Sequence, residues 1–277
     1  MTVAYDGSAY SGWQVQPGRL TIQSMLELAI KQICREQVRV TGSGRTDTGV
    51  HAIEQVASFS LATWRASAAD LCRALNSKLP NDISISSIID APEDFHAIRD
   101  ATGKRYRYQL QIGGKRDAFE YRYRWHLQGP IDVALMQEAA THLVGKHDFA
   151  SFQATGAVRK STVRDVRELV ITSEQCQGRA GQGVEPTALA AGLPESASNL
   201  VRPEAIAYGS QGLYVSLEIE ADGFLYNMVR NIVGTLIEVG RGKQSPAWVA
   251  EVLAGADRTQ AGPTAPPHGL FLMRVDY

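Results

Sequence analysis

The chain has 277 residues, 44% hydrophobic and 21% charged, and its 28 Lys and Arg nearly balance 29 Asp and Glu for a net charge of −1. This length fits one large domain or two ordinary ones, and the composition excludes a disordered, fibrous or disulfide-built chain. No apolar run approaches the roughly 20 residues that span a bilayer, so no membrane partner is expected.

Met1 to Gly7 form neither a basic nor an apolar leader, so no signal peptide is expected. The three cysteines, Cys34, Cys72 and Cys176, are far apart and odd in number. They show neither a disulfide framework nor metal-ligand spacing, and they suit a reducing cytoplasm. A neutral average argues mildly against nucleic acid as a partner, but the basic residues are clustered. Lys104, Arg105, Arg107, Lys115, Arg116, Arg122 and Arg124 crowd one stretch, and Arg159, Lys160, Arg164 and Arg167 another. Such clusters either bind phosphates or form solvated strand and loop faces.

Thr2 to Gly7 reads as a short strand ending in a turn. Thr21 then caps a helix whose apolar residues, Ile22, Met25, Leu26, Ala29, Ile30 and Ile33, recur at three- and four-residue spacing. Val38 and Val40 predict a strand running into Gly42-Ser43-Gly44, and Gln55 to Leu61 alternates like another. A helix from Ser67 places Leu71, Leu75 and Leu79 on one face and stops at Pro80. Ile83, Ile85 and Ile88 predict a strand that completes β-α-β-β-α-β, the split βαβ or ferredoxin-like order.

A second unit follows. Lys104 to Ile112 is a strand rich in Tyr and Arg, on which Tyr106 and Tyr108 are expected to face apart. Asp132 caps a helix with Leu135, Met136, Ala139, Ala140 and Leu143 as its apolar face. Val163 to Thr172 and Leu213 to Glu220 alternate as strands. Phe224 to Val239 and Pro246 to Leu253 predict helices, and Leu270 to Val275 a last strand. A Gly-, Ala-, Pro- and Ser-rich insertion at about 176–212 has no steady period and reads as a long loop. The fold class expected is α+β: two ferredoxin-like units, residues 1–98 and 99–277, with mainly antiparallel sheets and a central active-site cleft.

The most informative segment is Gly42-Ser-Gly-Arg-Thr-Asp-Thr-Gly-Val-His-Ala52. Its glycines permit tight turns and close backbone approach, and Arg45 stands two residues before Asp47. An ordinary charged loop has the same generic features. The segment is not a P-loop, because the Gly-x-x-x-x-Gly-Lys-Ser/Thr spacing is absent. Asp47-Thr48-Gly49 spells the triplet of aspartic proteases, which need two aspartates sharing a proton, and there is one copy here. A second subunit would supply the other, but Arg45 would disturb the shared-proton pair. His51, His96 and His147 show no ligand spacing and read as structural, as does Trp13.

Gly44-Arg-Thr-Asp-Thr-Gly-Val-His51 resembles the signature of the TruA family of tRNA pseudouridine synthases. Further segments resemble that family in the same order. They are Tyr5-Asp-Gly-Ser8, Gly12-Trp-Gln14, Asp94-Phe-His-Ala97, Lys104-Arg-Tyr-Arg-Tyr108 and His147-Asp-Phe-Ala-Ser-Phe152, then Asn227-Met-Val-Arg-Asn-Ile-Val-Gly234 and Gly269-Leu-Phe-Leu272. The resemblance covers nearly the whole chain except the insertion. Ile98 and Arg99 depart from it, where the family continues with Arg and an aromatic residue.

The resemblance implies a cofactor-free, metal-free isomerase that converts uridine to pseudouridine at positions 38, 39 and 40 of the tRNA anticodon stem-loop and works as a homodimer. It implies that Asp47 is the catalytic carboxylate and that Arg45 helps displace the target base. Tyr106 would stack on the uracil, Arg230 would pair with Asp47 and hold it ionised, and Leu270 would line an apolar pocket. Two other functions share these residues in part: a paralogue with another RNA target, and a tRNA-binding module without catalysis.

Overall fold

Thr21 caps the first helix, α1 (Ile22–Cys34), through a reciprocal box in which its hydroxyl accepts from the Ser24 amide and the Ser24 hydroxyl accepts from the Thr21 amide. Ser67 and Asp70 repeat that box at the start of α2 (Ala68–Asn76). The structure is a computed structural model, and it describes residues 1–156, 161–176 and 212–277. The insertion expected at about 176–212, and Arg159 and Lys160 of the second basic cluster, therefore lie outside the described residues apart from Cys176 and Gly212.

The first half adds β1 (Thr2–Tyr5), β2 (Thr41–Gly42), β3 (His51–Ser58) and β4 (Ile83–Ser87). The second half contains β5 (Gly103–Gly113), β6 (Trp125–Leu127), α3 (Val133–Ala140), β7 (Gly145–Asp148), β8 (Val163–Gln175) and β9 (Gly212–Ala221). It ends with α4 (Met228–Gly240), α5 (Trp248–Gly255) and β10 (Leu270–Asp276). The described residues thus hold five α-helices and one mixed sheet of ten strands, in the order β4-β1-β3-β10-β5-β9-β8-β7. β2 pairs with β3, and β6 with β5. Only the β10–β3 and β5–β6 pairings are parallel; the others are antiparallel.

Several elements differ from expectation for identifiable reasons. Val38 and Val40 are not in a strand. The Val40 amide donates to Glu27 at 3.0 Å, and its carbonyl accepts from Gln23 at 2.9 Å, so α1 side chains satisfy this backbone instead of a neighbouring strand. β3 starts at His51, earlier than Gln55, because His51 and Ala52 pair with Phe271 and Leu272 of β10. α4 starts at Met228, not Phe224, because Asn227 adopts a left-handed backbone with φ 62°. β6 and β7 are too short to show a period in the sequence. Tyr106 and Tyr108 do not face apart. Residues two apart on a strand share a face, and both are buried while Arg105 and Arg107 lie on the other side.

One buried cluster joins the apolar face of the sheet to the helices. Tyr106, Tyr108 and Leu110 of β5 lie opposite Ile219, Leu217 and Val215 of β9 on that face. The other face is charged. Arg105 contacts Glu168, Glu218 and Glu220, and Arg107 contacts Glu218. Arg105 and Arg107 of the basic stretch on β5 are therefore paired with carboxylates rather than open to phosphate.

Two N-terminal glycines fit against the loop between β2 and β3. Gly12 has φ +80°, and a Cβ there would stand 2.6 Å from the Thr46 carbonyl. At Gly7 a Cβ would stand 2.0 Å from the Val50 carbonyl. Gly12→Ala is expected to lower stability by on the order of 1–3 kcal/mol, read as a lower urea midpoint with an unchanged slope. An unmoved midpoint would show that the close approach imposes no constraint.

Candidate active site

The β2–β3 loop carries Asp47 and is held from four sides. Tyr5 of β1 bonds Thr46 through its hydroxyl at 2.8 Å, and the Trp13 amide donates to the Thr46 carbonyl at 3.0 Å. The buried Gln55 accepts from the Ser43 hydroxyl at 2.6 Å and donates to the Gly44 carbonyl at 2.8 Å. From β5, the Lys104 ammonium donates to the Ser43 carbonyl at 2.8 Å. Burial lowers the Lys104 pKa, assisted by Arg164. Tyr5 and Gln55 are the residues here that the sequence left without a role. The motif containing Tyr5 was visible, but its hydroxyl contact with Thr46 depends on the β1–β3 pairing.

Arg230 reaches this loop from the first turn of α4. Its Nη1 lies 3.5 Å from Asp47 Oδ2, and it also donates to Asn227 Oδ1 at 3.0 Å and, from Nε, to the Ala265 carbonyl at 2.7 Å. The helix is fixed by its neighbour Asn231, which donates to the Phe152 carbonyl at 2.8 Å. Phe149, Ser151 and Phe152 are fully buried, so the His147–Phe152 motif supports α4. Asn231 Oδ1 in turn accepts from Thr264 and Arg258, which ties α4 to the segment that includes Ala265.

Asp47 keeps 27% of its side chain exposed, against 15% for Arg230. Burial pushes the Asp47 carboxyl above the usual carboxylate value, and Arg230 opposes that shift without cancelling it. Arg230 thus favours the ionised Asp47, the direction expected of it, but this is the smaller of two opposing effects. Tyr106 is buried, and burial, with Tyr5 and Asp47 as electrostatic neighbours, raises its phenol above the ordinary value. Its ring meets Phe224 edge-on, with centroids 4.9 Å apart. Burial also pushes the neighbouring Tyr5 phenol up to about 12, so both phenols stay protonated at neutral pH.

The structure therefore pairs Asp47 with Arg230 and sets Tyr106 as an electrostatic neighbour of Asp47. Arg45 is exposed on the same loop, two residues from Asp47. Leu270 is buried at the start of β10, opposite Tyr108, while Leu272 is the residue opposite Tyr106. His51 is buried and fits a neutral ring, accepting the Gly7 amide at Nδ1 and donating from Nε2 to the His268 carbonyl. His147 bonds the Val144 carbonyl, and Trp13 packs in the core against the backbone of Gly42. At the departure after Ala97, Arg99 pairs with Asp100 at 2.7 Å and Ile98 is exposed. Among the described residues, no His, Cys, Asp and Glu side chains come together as metal ligands, and no helix is long and apolar enough to cross a membrane. Cys34, Cys72 and Cys176 are free thiols.

Two cavities flank the loop. One of about 700 Å³ touches Gly49, and one of about 500 Å³ touches His51 and Tyr5. Asp47 lines neither, so its carboxylate lies beside these spaces rather than inside them.

The family described as tRNA pseudouridine synthase matches residues 1–98 and 139–277. tRNA pseudouridine synthase A of Thermoanaerobacter sp. (strain X514) is 39% identical over 277 residues, which is 100% of this chain and 98% of the relative. tRNA pseudouridine synthase A 2 of Clostridium perfringens (strain 13 / Type A) has the same identity and coverage. tRNA pseudouridine synthase A of Myxococcus xanthus is 38% identical, covering 100% of this chain and 91% of that protein. With the family match over most of its length and relatives 39% identical over all of it, the chain belongs to the tRNA pseudouridine synthase family, the TruA-type isomerases.

Proposed function

We propose that this chain converts uridine to pseudouridine at positions 38, 39 and 40 of the tRNA anticodon stem-loop, with Asp47 as the catalytic carboxylate. The observation that supports this best is the pairing of Asp47 with Arg230 at 3.5 Å, with the buried Tyr106 as an electrostatic neighbour of that carboxylate. The reaction breaks the N1–C1′ bond, turns the uracil and joins C5 to C1′; the C5 proton leaves and N1 gains one. Atoms balance without oxidation or net hydrolysis, so the proposal needs no cofactor or metal.

The anomeric carbon becomes electron-poor as N1 departs, and a carboxylate stabilises that charge or bonds to it. Asp47 attacks C1′, attacks the base or removes the C2′ proton, and each route needs its ionised form. Burial sharpens every charge interaction of this group once substrate excludes water. Arg230 orients the carboxylate while fixed by Asn227 and Ala265. Tyr106 presents a neutral ring on which the uracil stacks. The target base leaves its helical stack at a cost of a few kcal/mol, and Arg45, exposed on the loop, fills the gap. Leu270 contributes apolar surface from β10.

The same reading treats residues 1–98 and 99–277 as two ferredoxin-like units meeting at a central cleft. The antiparallel order β4-β1-β3-β2 in the first half agrees with it. It also treats the enzyme as a cytoplasmic homodimer, in which one subunit holds the tRNA body while the other holds the target.

Asp47→Ala is expected to reduce pseudouridine formation at least about a thousand-fold, measured as tritium released from C5-labelled uridine in an unmodified tRNA transcript. Release that survives the substitution would remove Asp47 from the chemistry. No release by folded wild type, from tRNAs carrying uridine at those positions, would sink the assigned activity.

The raised pKa also predicts a stability effect. A carboxyl whose folded pKa exceeds its unfolded value stabilises the fold below the unfolded pKa, and that stabilisation is lost as pH rises through the folded pKa. Ionised Asp47 is therefore a cost at neutral pH. Asp47→Asn should melt at a higher temperature than wild type at pH 7, the gap closing towards about pH 4, the ordinary carboxyl range. Equal melting temperatures across this range would contradict the burial argument.

Removing Arg230 removes the effect that opposes burial. In Arg230→Ala the acid limb of the kcat profile should move to higher pH, and Arg230→Lys should restore it in part. A profile that stays in place would show that Arg230 does not act through the ionisation of Asp47.

A further inference from the structure

The cavity of about 700 Å³ that touches Ser8, Ala9 and Gly49 lies on the flank of the loop carrying Asp47. Its remaining walls include Arg116, Arg122, Arg124, His126 and His268, and no Asp or Glu lines it. The residues from Arg116 to His126 come from the segment joining β5 to β6 and from β6 itself, within the stretch between the two matched parts of the family.

Its cations are not equivalent. Arg124 pairs with Glu120 at 3.3 Å and lies 4.1 Å from the Tyr214 ring centroid, so it is already committed. His126 bonds the Gly113 and Gly114 carbonyls, and burial lowers the His268 pKa, favouring a neutral ring. Arg116 and Arg122 differ from these. Both are exposed, and their guanidinium carbons stand 5.9 and 5.8 Å from the centroid of Tyr121, itself 47% exposed. Among the described residues neither arginine stands in an ion pair with a carboxylate.

Arg122 also donates from Nε to the Tyr121 hydroxyl at 3.2 Å, so the ring gathers both cations at one exposed spot. An exposed aromatic ring beside two guanidinium groups without a carboxylate in ion-pair reach matches single-stranded RNA closely. The ring offers a stacking face and the cations meet phosphates. Resting on the reading of the chain as an enzyme of tRNA, we propose that this cavity binds the strand beside the target nucleotide. Arg116 and Arg122 take its backbone phosphates, and Tyr121 stacks an unpaired base. The position beside Gly49 keeps the bound strand next to Asp47 without placing it on the reacting group.

The test compares wild type, the double variant Arg116→Ala/Arg122→Ala, Tyr121→Leu and Tyr121→Phe on an anticodon stem-loop RNA. Kd is measured at several salt concentrations, and KM and kcat for pseudouridine formation are measured alongside. The double variant should raise Kd and KM about ten-fold or more, with the loss in KM rather than kcat, and flatten the slope of log Kd against log salt by about 1.5. Tyr121→Leu should raise KM at least about five-fold, and Tyr121→Phe should remain near wild type. Unchanged Kd, KM and slope in both the double variant and Tyr121→Leu would overturn the assignment. So would a shift of the double variant to a smaller species in sedimentation, which would mark this face as a contact between copies of the chain. Wild type that binds the RNA but forms no pseudouridine would defeat the functional reading alone, since the Kd comparison still decides what the cavity binds.

Discussion

The contact between Asp47 and Arg230 joins residues 183 positions apart in the chain and sets the demands met by the structure around it. A carboxylate taken out of water is expensive unless its partner is held firmly. Two anchoring systems provide this. On one side, Tyr5, Trp13, Gln55 and Lys104 fix the backbone from Ser43 to Thr46. On the other, Asn231 and the buried Phe149 and Phe152 fix α4, and the Ala265 carbonyl fixes the guanidinium. Burial still outweighs the partner, so the site keeps its carboxylate in a less comfortable state than water would. A group poised in this way gains more from a developing positive charge than a fully compensated one.

Strand β5 separates two kinds of chemistry. Tyr106 and Tyr108 join the buried side, and Arg105 and Arg107 meet the glutamates of β8 and β9 on the other. A cross-strand array of this kind leaves little net charge on the exposed face, in keeping with the near balance of the whole composition. Among the described residues, Arg116 and Arg122, past the end of the strand, stand instead without a carboxylate in ion-pair reach and gather on Tyr121. Counting basic residues along the sequence groups all of these together; only strand register separates the paired from the unpaired.

The helices were legible because their caps and apolar periods are local. Thr21, Ser67 and Asp132 all accept helix amide hydrogen bonds as their positions suggest. The long strands β5, β8 and β9 were legible from alternation. Val38 and Val40 misled because the Val40 backbone is satisfied by Gln23 and Glu27 of α1 rather than by a neighbouring strand. The late start of α4 depends on the left-handed Asn227, a conformation that apolar periodicity does not register. In the site, resemblance singled out Asp47, Tyr106 and Arg230; the structure pairs Asp47 with Arg230 and leaves Tyr106 an electrostatic neighbour of Asp47. Tyr5 and Gln55 stayed hidden because their contacts cross between strands, and the balance of burial against Arg230 is a property of the assembled interior.

Strand β10 lies between β3, to which it is parallel, and β5, to which it is antiparallel. His51 and the carbonyl of His268, just before that strand, are 217 residues apart, and Leu272 faces Tyr106 across the β10–β5 pair. Contacts of such long range form late, after the entropy of closing the intervening chain has been met. During synthesis, then, Asp47 and Tyr106 leave the ribosome well before the strand that aligns their supports. Until Leu272 is available, the growing polypeptide carries both side chains without the sheet that sets their positions.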